Sequence, residues 1–166
     1  FIDYMCNSTE GQQVVADAGG IVDLSKTTPW EELKVNHPIV DEDNSDLTIR
    51  TAGSTSVEST LQAALEAFQA EAGQFQFTMN QTGSGDGYKR VLGEEKDGAN
   101  AADIGFASRE FEGEEDVTQG MASGQYCIDA VVAVISADNT FGVTDLTADQ
   151  IKGIFSGEIT AWSDLQ

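Results

Sequence analysis

The sequence predicts an α/β fold, a largely parallel sheet flanked by helices. Three observations predict it. From Leu47 onward, short β-like runs alternate with stretches of helical periodicity, the pattern of a parallel sheet whose crossovers carry helices. Three of these runs end in bends rich in Gly, Ser or Thr or carrying a Ser-Arg pair, and such sheets gather ligands beyond the carboxyl ends of their strands. The 166 residues, 40 % of them apolar, suffice for one ordinary domain with a core.

The elements follow in order. Residues 1–19 read as helical, with Phe1, Ile2, Met5 and Cys6 in one apolar cluster and Val14, Val15 and Ala18 in another. Between them Asn7-Ser8-Thr9-Glu10-Gly11 marks a break or a recap, and Gly19-Gly20 is a helix stop. Ile21–Leu24 is a short strand candidate. Residues 25–46 hold both prolines and six acidic side chains, and read as an acidic connector with one helical turn at Trp30–Leu33. The segment from Asp41 mimics a calcium loop only in part: Asp46 stands where glycine is needed and Ala52 where glutamate is needed.

Leu47–Thr51 is then the first strand of the β-α-β-α-β pattern. Val57, Leu61, Leu65 and Phe68 recur on one helical face and form a core stripe. Phe75–Met79 alternates as a strand with one wet side. Residues 87–95 suggest a short helix, 102–107 a buried strand and 111–123 an acidic helix. Residues 127–136, CIDAVVAVIS, are the most apolar run and predict a central strand. Thr147 and Gln150 fit a capping box, with Leu146 placed to staple onto Ile151.

Composition excludes whole classes of function. With 29 acidic against 8 basic residues and a net charge of −21, nucleic acid and anionic membrane are not expected partners. No run of 18 apolar residues spans a bilayer. The two cysteines, Cys6 and Cys127, lack metal-ligand spacing, and His37 is the single histidine, so no metal, cofactor or Cys/His nucleophile is expected. The acidic pairs Glu94-Glu95 and Glu114-Glu115 read as solvated faces, so the chain is not expected to be an enzyme. It opens in mid-pattern at Phe1-Ile2-Asp3-Tyr4, as a piece of a longer protein would.

Three bends carry the functional signal. In Gly53-Ser54-Thr55-Ser56, Thr55 with Glu58 reads as a capping box, and a helix start offers unpaired N–H groups and partial positive charge to an anion. In Thr82-Gly83-Ser84-Gly85-Asp86-Gly87-Tyr88-Lys89, glycines admit close backbone approach, although the spacing is neither a P-loop nor a dinucleotide fingerprint. In Ala107-Ser108-Arg109-Glu110, the guanidinium fork suits a tetrahedral oxyanion. Alone, these read as a helix cap, a flexible turn and a surface ion pair of Arg109 with Glu110 or Glu112. Their shared position past strand ends points jointly to an anion site.

At this point TIRTAGSTSVESTLQAALEAF, TMNQTGSGDGYKRVLGEEKDGANAADIGFASREF and DAVVAVISADN followed by LTADQIKGIFSGEITAWSDL resemble the phosphate-binding proteins of bacterial ABC phosphate transporters. The resemblance covers about Leu47 to Gln166, and IFSGEITAW is its most specific part. It implies one lobe of a two-lobed periplasmic-binding-protein-like fold, with phosphate clamped between lobes. It also implies that Thr55 and Ser56 supply hydroxyl and helix N–H contacts and that Ser84 supplies a hydroxyl. Arg109 stands where some members carry an aspartate that accepts a hydrogen bond from protonated phosphate. Arginine cannot accept, but binds an anion by charge, and Asp129 is a second candidate for the acceptor.

The family continues past ITAW into the rest of a second lobe, with an Arg and a Ser-Gly-Thr loop that this chain lacks. Residues 1–24 resemble the family's end, a final helix and short strand. The organisation implied is therefore 1–24 as that terminal helix and strand, 25–46 as linker, 47–136 as first lobe with crossover strand, and 137–166 as the start of a second lobe. Either the protein is a tandem repeat, or residues 1–24 pack on this same lobe in permuted order, which is favoured because their apolar face needs a partner. A Cys6–Cys127 bridge would fit that packing and an oxidising location.

The function implied is extracytoplasmic capture of inorganic phosphate for an ABC permease by a membrane-anchored lipoprotein, extracellular or periplasmic. The alternative is a sensor, adhesion protein or binding protein for another oxyanion. For this piece alone, with half of the site, affinity in the millimolar range or weaker is expected.

Overall fold

Leu61, Ala64 and Leu65 are fully buried along one face of a single helix, with Val57 and Phe68 beside them, as the periodic stripe requires. This helix, α4 (Glu58–Glu71), organises the first of two units in the computed structural model, which describes residues Phe1–Leu165. The first unit is Phe1–Asp129 and the second begins at Ala130.

In the first unit three strands, β1 (Thr48–Gly53), β2 (Gln76–Gln81) and β3 (Ile104–Phe106), form a sheet of order β2-β1-β3. All pairing is parallel: Thr48 faces Gln76, and Gly53 faces Gln81 on one side and Phe106 on the other. Helices α4 and α5 (Ser84–Val91) supply the two crossovers. The α/β class with a parallel sheet and flanking helices is thus as the sequence predicts. Asp103 fastens β3 to β1, taking the Arg50 backbone N–H at 2.8 Å and two guanidinium N–H groups at 3.1 and 2.8 Å.

The N-terminal segment packs on this same lobe. Helices α1 (Ile2–Asn7) and α2 (Thr9–Asp17) are separated at Ser8, whose hydroxyl donates to the Tyr4 carbonyl at 2.6 Å and accepts from the Gly11 N–H at 2.8 Å. That is the recap legible at Asn7–Gly11. Helix α2 lies against α4. Tyr4 meets the rings of Trp30 at 5.2 Å and Phe68 at 5.0 Å. Trp30 opens α3 (Trp30–Leu33), so the acidic stretch 25–46 contributes Trp30, Val40 and Asn44 to the interior. Gln12 Nε2 donates to the carbonyls of Met5 and Tyr126, both at 2.7 Å, tying α2 to the segment before Asp129. Cys6 and Cys127 are free thiols, and burial pushes Cys6 up to about 11.

In the second unit, α6 (Ala148–Ser156) starts with the reciprocal Thr147–Gln150 capping box and ends at Gly157, in the left-handed region at φ 78°.

Several expected elements differ. Ile21–Leu24 is not a strand: Ile21 makes one antiparallel bridge to Ile128, and Leu24 opens a 3-10 turn. The central strand expected over 127–136 is not formed. Beyond Ile128 these residues join no ladder among the described residues, and Val131 and Val134 are 103 % and 85 % exposed. An apolar run signals a need for burial; it does not supply the partner strand that makes the ladder. The acidic helix over 111–123 reduces to a 3-10 turn at Val117–Gln119, because the stretch has no apolar stripe to bury. Helix α5 begins at Ser84, three residues before the expected start, and closes at Val91.

Candidate functional site

Because all three strands run parallel, their carboxyl ends share one edge of the sheet, and the three bends meet there. The first bend departs from the expected capping box. Ser54, not Thr55, is the cap: its Oγ accepts from the Ser56 N–H at 3.2 Å, Thr55–Val57 form a 3-10 turn, and α4 starts at Glu58. Ser54 is only 4 % exposed, and its own N–H donates to the Phe106 carbonyl at 3.0 Å, extending the β1–β3 pairing by one bond. Gly53 makes this possible. Its φ is +142°, and a Cβ there would collide with the Phe106 carbonyl.

The second bend is stitched to the first by the Gly83 N–H, which donates to the Gly53 carbonyl at 2.8 Å. Helix α5 follows at once, and Thr82 donates to the Asp86 carboxylate in its first turn. The third bend closes the group through Ser108. The Ser54 hydroxyl donates to Ser108 Oγ at 2.9 Å, and the Ser108 N–H donates to Ser84 Oγ at 3.2 Å. The two hydroxyl oxygens of Ser84 and Ser108 lie 3.4 Å apart. One relay, Ser54–Ser108–Ser84, therefore links all three strand ends.

Thr55 and Ser56 stand exposed on the turn at the edge of this relay, and among the described residues neither hydroxyl has an intramolecular partner. With Ser84 they are sequence-predicted residues that the bends bring to one edge. Arg109 follows Ser108 directly but turns to Glu115. Nη1 and Nη2 donate to the two Glu115 oxygens at 2.6 and 2.8 Å, and Nη1 also donates to the Glu110 carbonyl at 2.8 Å. The ion pair expected with Glu110 or Glu112 is made instead with Glu115. Hydrogen bonds from Arg109 hold the Glu115 carboxyl down to about 2. Asp129 comes one residue after the Ile21–Ile128 bridge, at the end of the first unit.

Sequence reasoning missed Ser54 and Ser108 as site residues. Ser54 follows β1 directly and Ser108 lies two residues past β3, which is the signal that could have found them; at each bend a neighbouring capping or charged residue drew the assignment instead.

The edge offers hydroxyls, which both donate and accept, and the N-terminal end of α5 with its partial positive charge. Such a set suits a small oxyanion. No group of three or more His, Cys, Asp or Glu among the described residues is arranged to hold a metal. His37 pairs with Asp3 at 2.7 Å and stacks on Trp30. No helix among the described residues is long and apolar enough to cross a membrane.

Residues 15–166 match the family described as a PBP superfamily domain. Among curated relatives, Phosphate-binding protein PstS 2 of Streptococcus agalactiae serotype V is 30 % identical over 165 residues, covering 99 % of this chain and 49 % of the relative. Phosphate-binding protein PstS 2 of Streptococcus pneumoniae serotype 4 is 27 % identical over 166 residues, covering 100 % of this chain and 50 % of the relative. The crystal structure of a phosphate-binding protein of a phosphate ABC transporter from Streptococcus pneumoniae TIGR4 superposes with a TM-score of 0.71 at 26 % identity, over 99 % of this chain and 56 % of that one. The chain spans about half the length of the curated relatives it matches.

Proposed function

This chain belongs to the PBP superfamily, and from that premise we propose that it forms part of a solute-binding protein that captures inorganic phosphate outside the cell for an ABC permease. The names of its relatives support the ligand and the transporter. The observation that carries the reading is the Ser54–Ser108–Ser84 relay, which gathers three strand ends into one hydrogen-bonding edge. In this reading Thr55, Ser56 and Ser84 hold the anion with Ser54 and Ser108 behind them, Arg109 adds charge, and Asp129 is a candidate acceptor for the phosphate proton. Function is clamp closure around a ligand with no chemical step. The protein is extracellular or periplasmic and lipid-anchored, and residues beyond this chain complete the second lobe.

A second reading, a binding protein or sensor for another oxyanion, is favoured by Arg109 at a position where an acceptor would select protonated phosphate. Calorimetry of the intact protein against phosphate, sulfate, molybdate and tungstate separates the two. Phosphate binding at least tenfold tighter than the others supports the first reading; no phosphate binding alongside binding of another oxyanion overturns it.

A further inference from the structure

The 3-10 turn Thr55–Val57, which carries the exposed hydroxyls of Thr55 and Ser56, is fixed on its buried side by a residue far along the chain. Thr60, buried in the first turn of α4, donates its hydroxyl hydrogen to the Val57 carbonyl at 3.0 Å. The Tyr126 hydroxyl lies 3.0 Å from the same Thr60 oxygen. A threonine hydroxyl has one hydrogen, and Thr60 directs it at Val57, so Tyr126 is the donor of this second bond. The order is therefore Tyr126 to Thr60 to the carbonyl of the last residue of the turn. Burial raises the Tyr126 phenol well above its ordinary value, so it keeps its hydrogen at neutral pH.

The ring of Tyr126 supports the other end of the same bend. It meets Phe106 edge-on, with centroids 6.1 Å apart and planes at 84°, and the Phe106 carbonyl accepts the Ser54 N–H at 3.0 Å. The backbone around Tyr126 is itself held. Gln12 Nε2 donates to its carbonyl at 2.7 Å, and two residues on, Ile128 exchanges two hydrogen bonds of 2.9 Å with Ile21. Tyr126 thus reaches both ends of the first bend from a fixed base, through Thr60 and through Phe106. An anion held by neutral hydroxyls and amides binds better when its donors are already aligned, because ordering them on binding costs part of the net value of each bond. Resting on the oxyanion-binding reading above, we propose that Tyr126 is a positioning residue for that site: its hydroxyl, through Thr60 and the Val57 carbonyl, holds the turn that presents Thr55 and Ser56 to the ligand.

The test is calorimetric titration of the intact protein with sodium phosphate at neutral pH, at a temperature where circular dichroism shows every variant folded, for the wild type, Y126F, T60V and Y126F/T60V. Y126F keeps the ring on Phe106 and removes only the hydroxyl. The expected result is a loss of about fivefold in phosphate affinity in Y126F, the size of one neutral hydrogen bond, a similar loss in T60V, and no further loss when the two are combined. In ligand-free Y126F, amide hydrogen exchange should also quicken at Ser56 and Glu58, whose N–H groups close the turn onto Ser54 Oγ and the Thr55 carbonyl. A residue that only stabilised the fold would lower the melting temperature and leave phosphate affinity unchanged. Affinity within about twofold of wild type in Y126F, a Y126F loss that recurs in full in the T60V background, or unchanged exchange at Ser56 and Glu58 overturns the role of Tyr126 while leaving the binding reading intact. A wild-type protein that does not bind phosphate overturns the binding reading itself, and this proposal with it.

Discussion

Ser54 and Ser108 join hydroxyl to hydroxyl at 2.9 Å across 54 residues of sequence, a side-chain bond that directly couples the end of β1 to the bend after β3. Ser54 is buried and Ser108 exposed, so the pair runs from the interior of the sheet edge to solvent. Ser108→Ala leaves the Ser54 hydroxyl without its acceptor. Unfolding free energy should fall by about 1 kcal/mol, and phosphate affinity of the intact protein should fall by about tenfold. Urea denaturation and calorimetry check the two effects; unchanged binding would remove Ser108 from the site.

Gly53→Ala places a methyl group against the Phe106 carbonyl at a backbone angle that disfavours side chains. Loss of about 2 kcal/mol or more is expected, from backbone strain together with the broken Ser54–Phe106 bond. Urea unfolding measures it, and a wild-type midpoint would show that the β1–β3 approach is looser than described.

Gln12→Ala removes the amide that satisfies the carbonyls of Met5 and Tyr126. Two acceptors lose their partner at a site where Gln12 is 5 % exposed, and a cost of about 1–3 kcal/mol follows. A melting temperature equal to wild type would mean that α2 does not rest on this lobe in solution.

Glu115 should titrate far below its ordinary value of 4.5, at about 2, because Arg109 hydrogen-bonds the ionised form. A carboxyl depressed in the folded state contributes stability that is fully present above its unfolded value. That contribution is lost as pH falls from about 4.5 through 2. Carboxyl-detected NMR should follow this titration, and R109Q should move it back up. A Glu115 that still titrates at about 2 in R109Q would assign the depression to another cause.

Much of this was legible in the sequence where a local rule and the tertiary structure agree. The α4 stripe, the Ser8 recap and the Thr147–Gln150 box each follow from periodicity or capping chemistry, and each is present. Residues 127–136 were not legible, because hydrophobicity is a property of the segment whereas a ladder is a property of a pair. The start of α5 was masked by Gly83, Gly85 and Gly87, which lower helix propensity where the helix begins. The relay escaped because hydrogen bonds between Ser54, Ser84 and Ser108 depend on parallel register, which brings distant strand ends together without leaving a local pattern.

The central claim is that one ion touches all three bends. It is tested most directly by phosphate titration of the isotopically labelled intact protein, following backbone amides by NMR. The account predicts that residues 54–56, 84–86 and 108–109 shift together along a single binding curve. Shifts confined to one bend, or curves with different dissociation constants at the three, would contradict it.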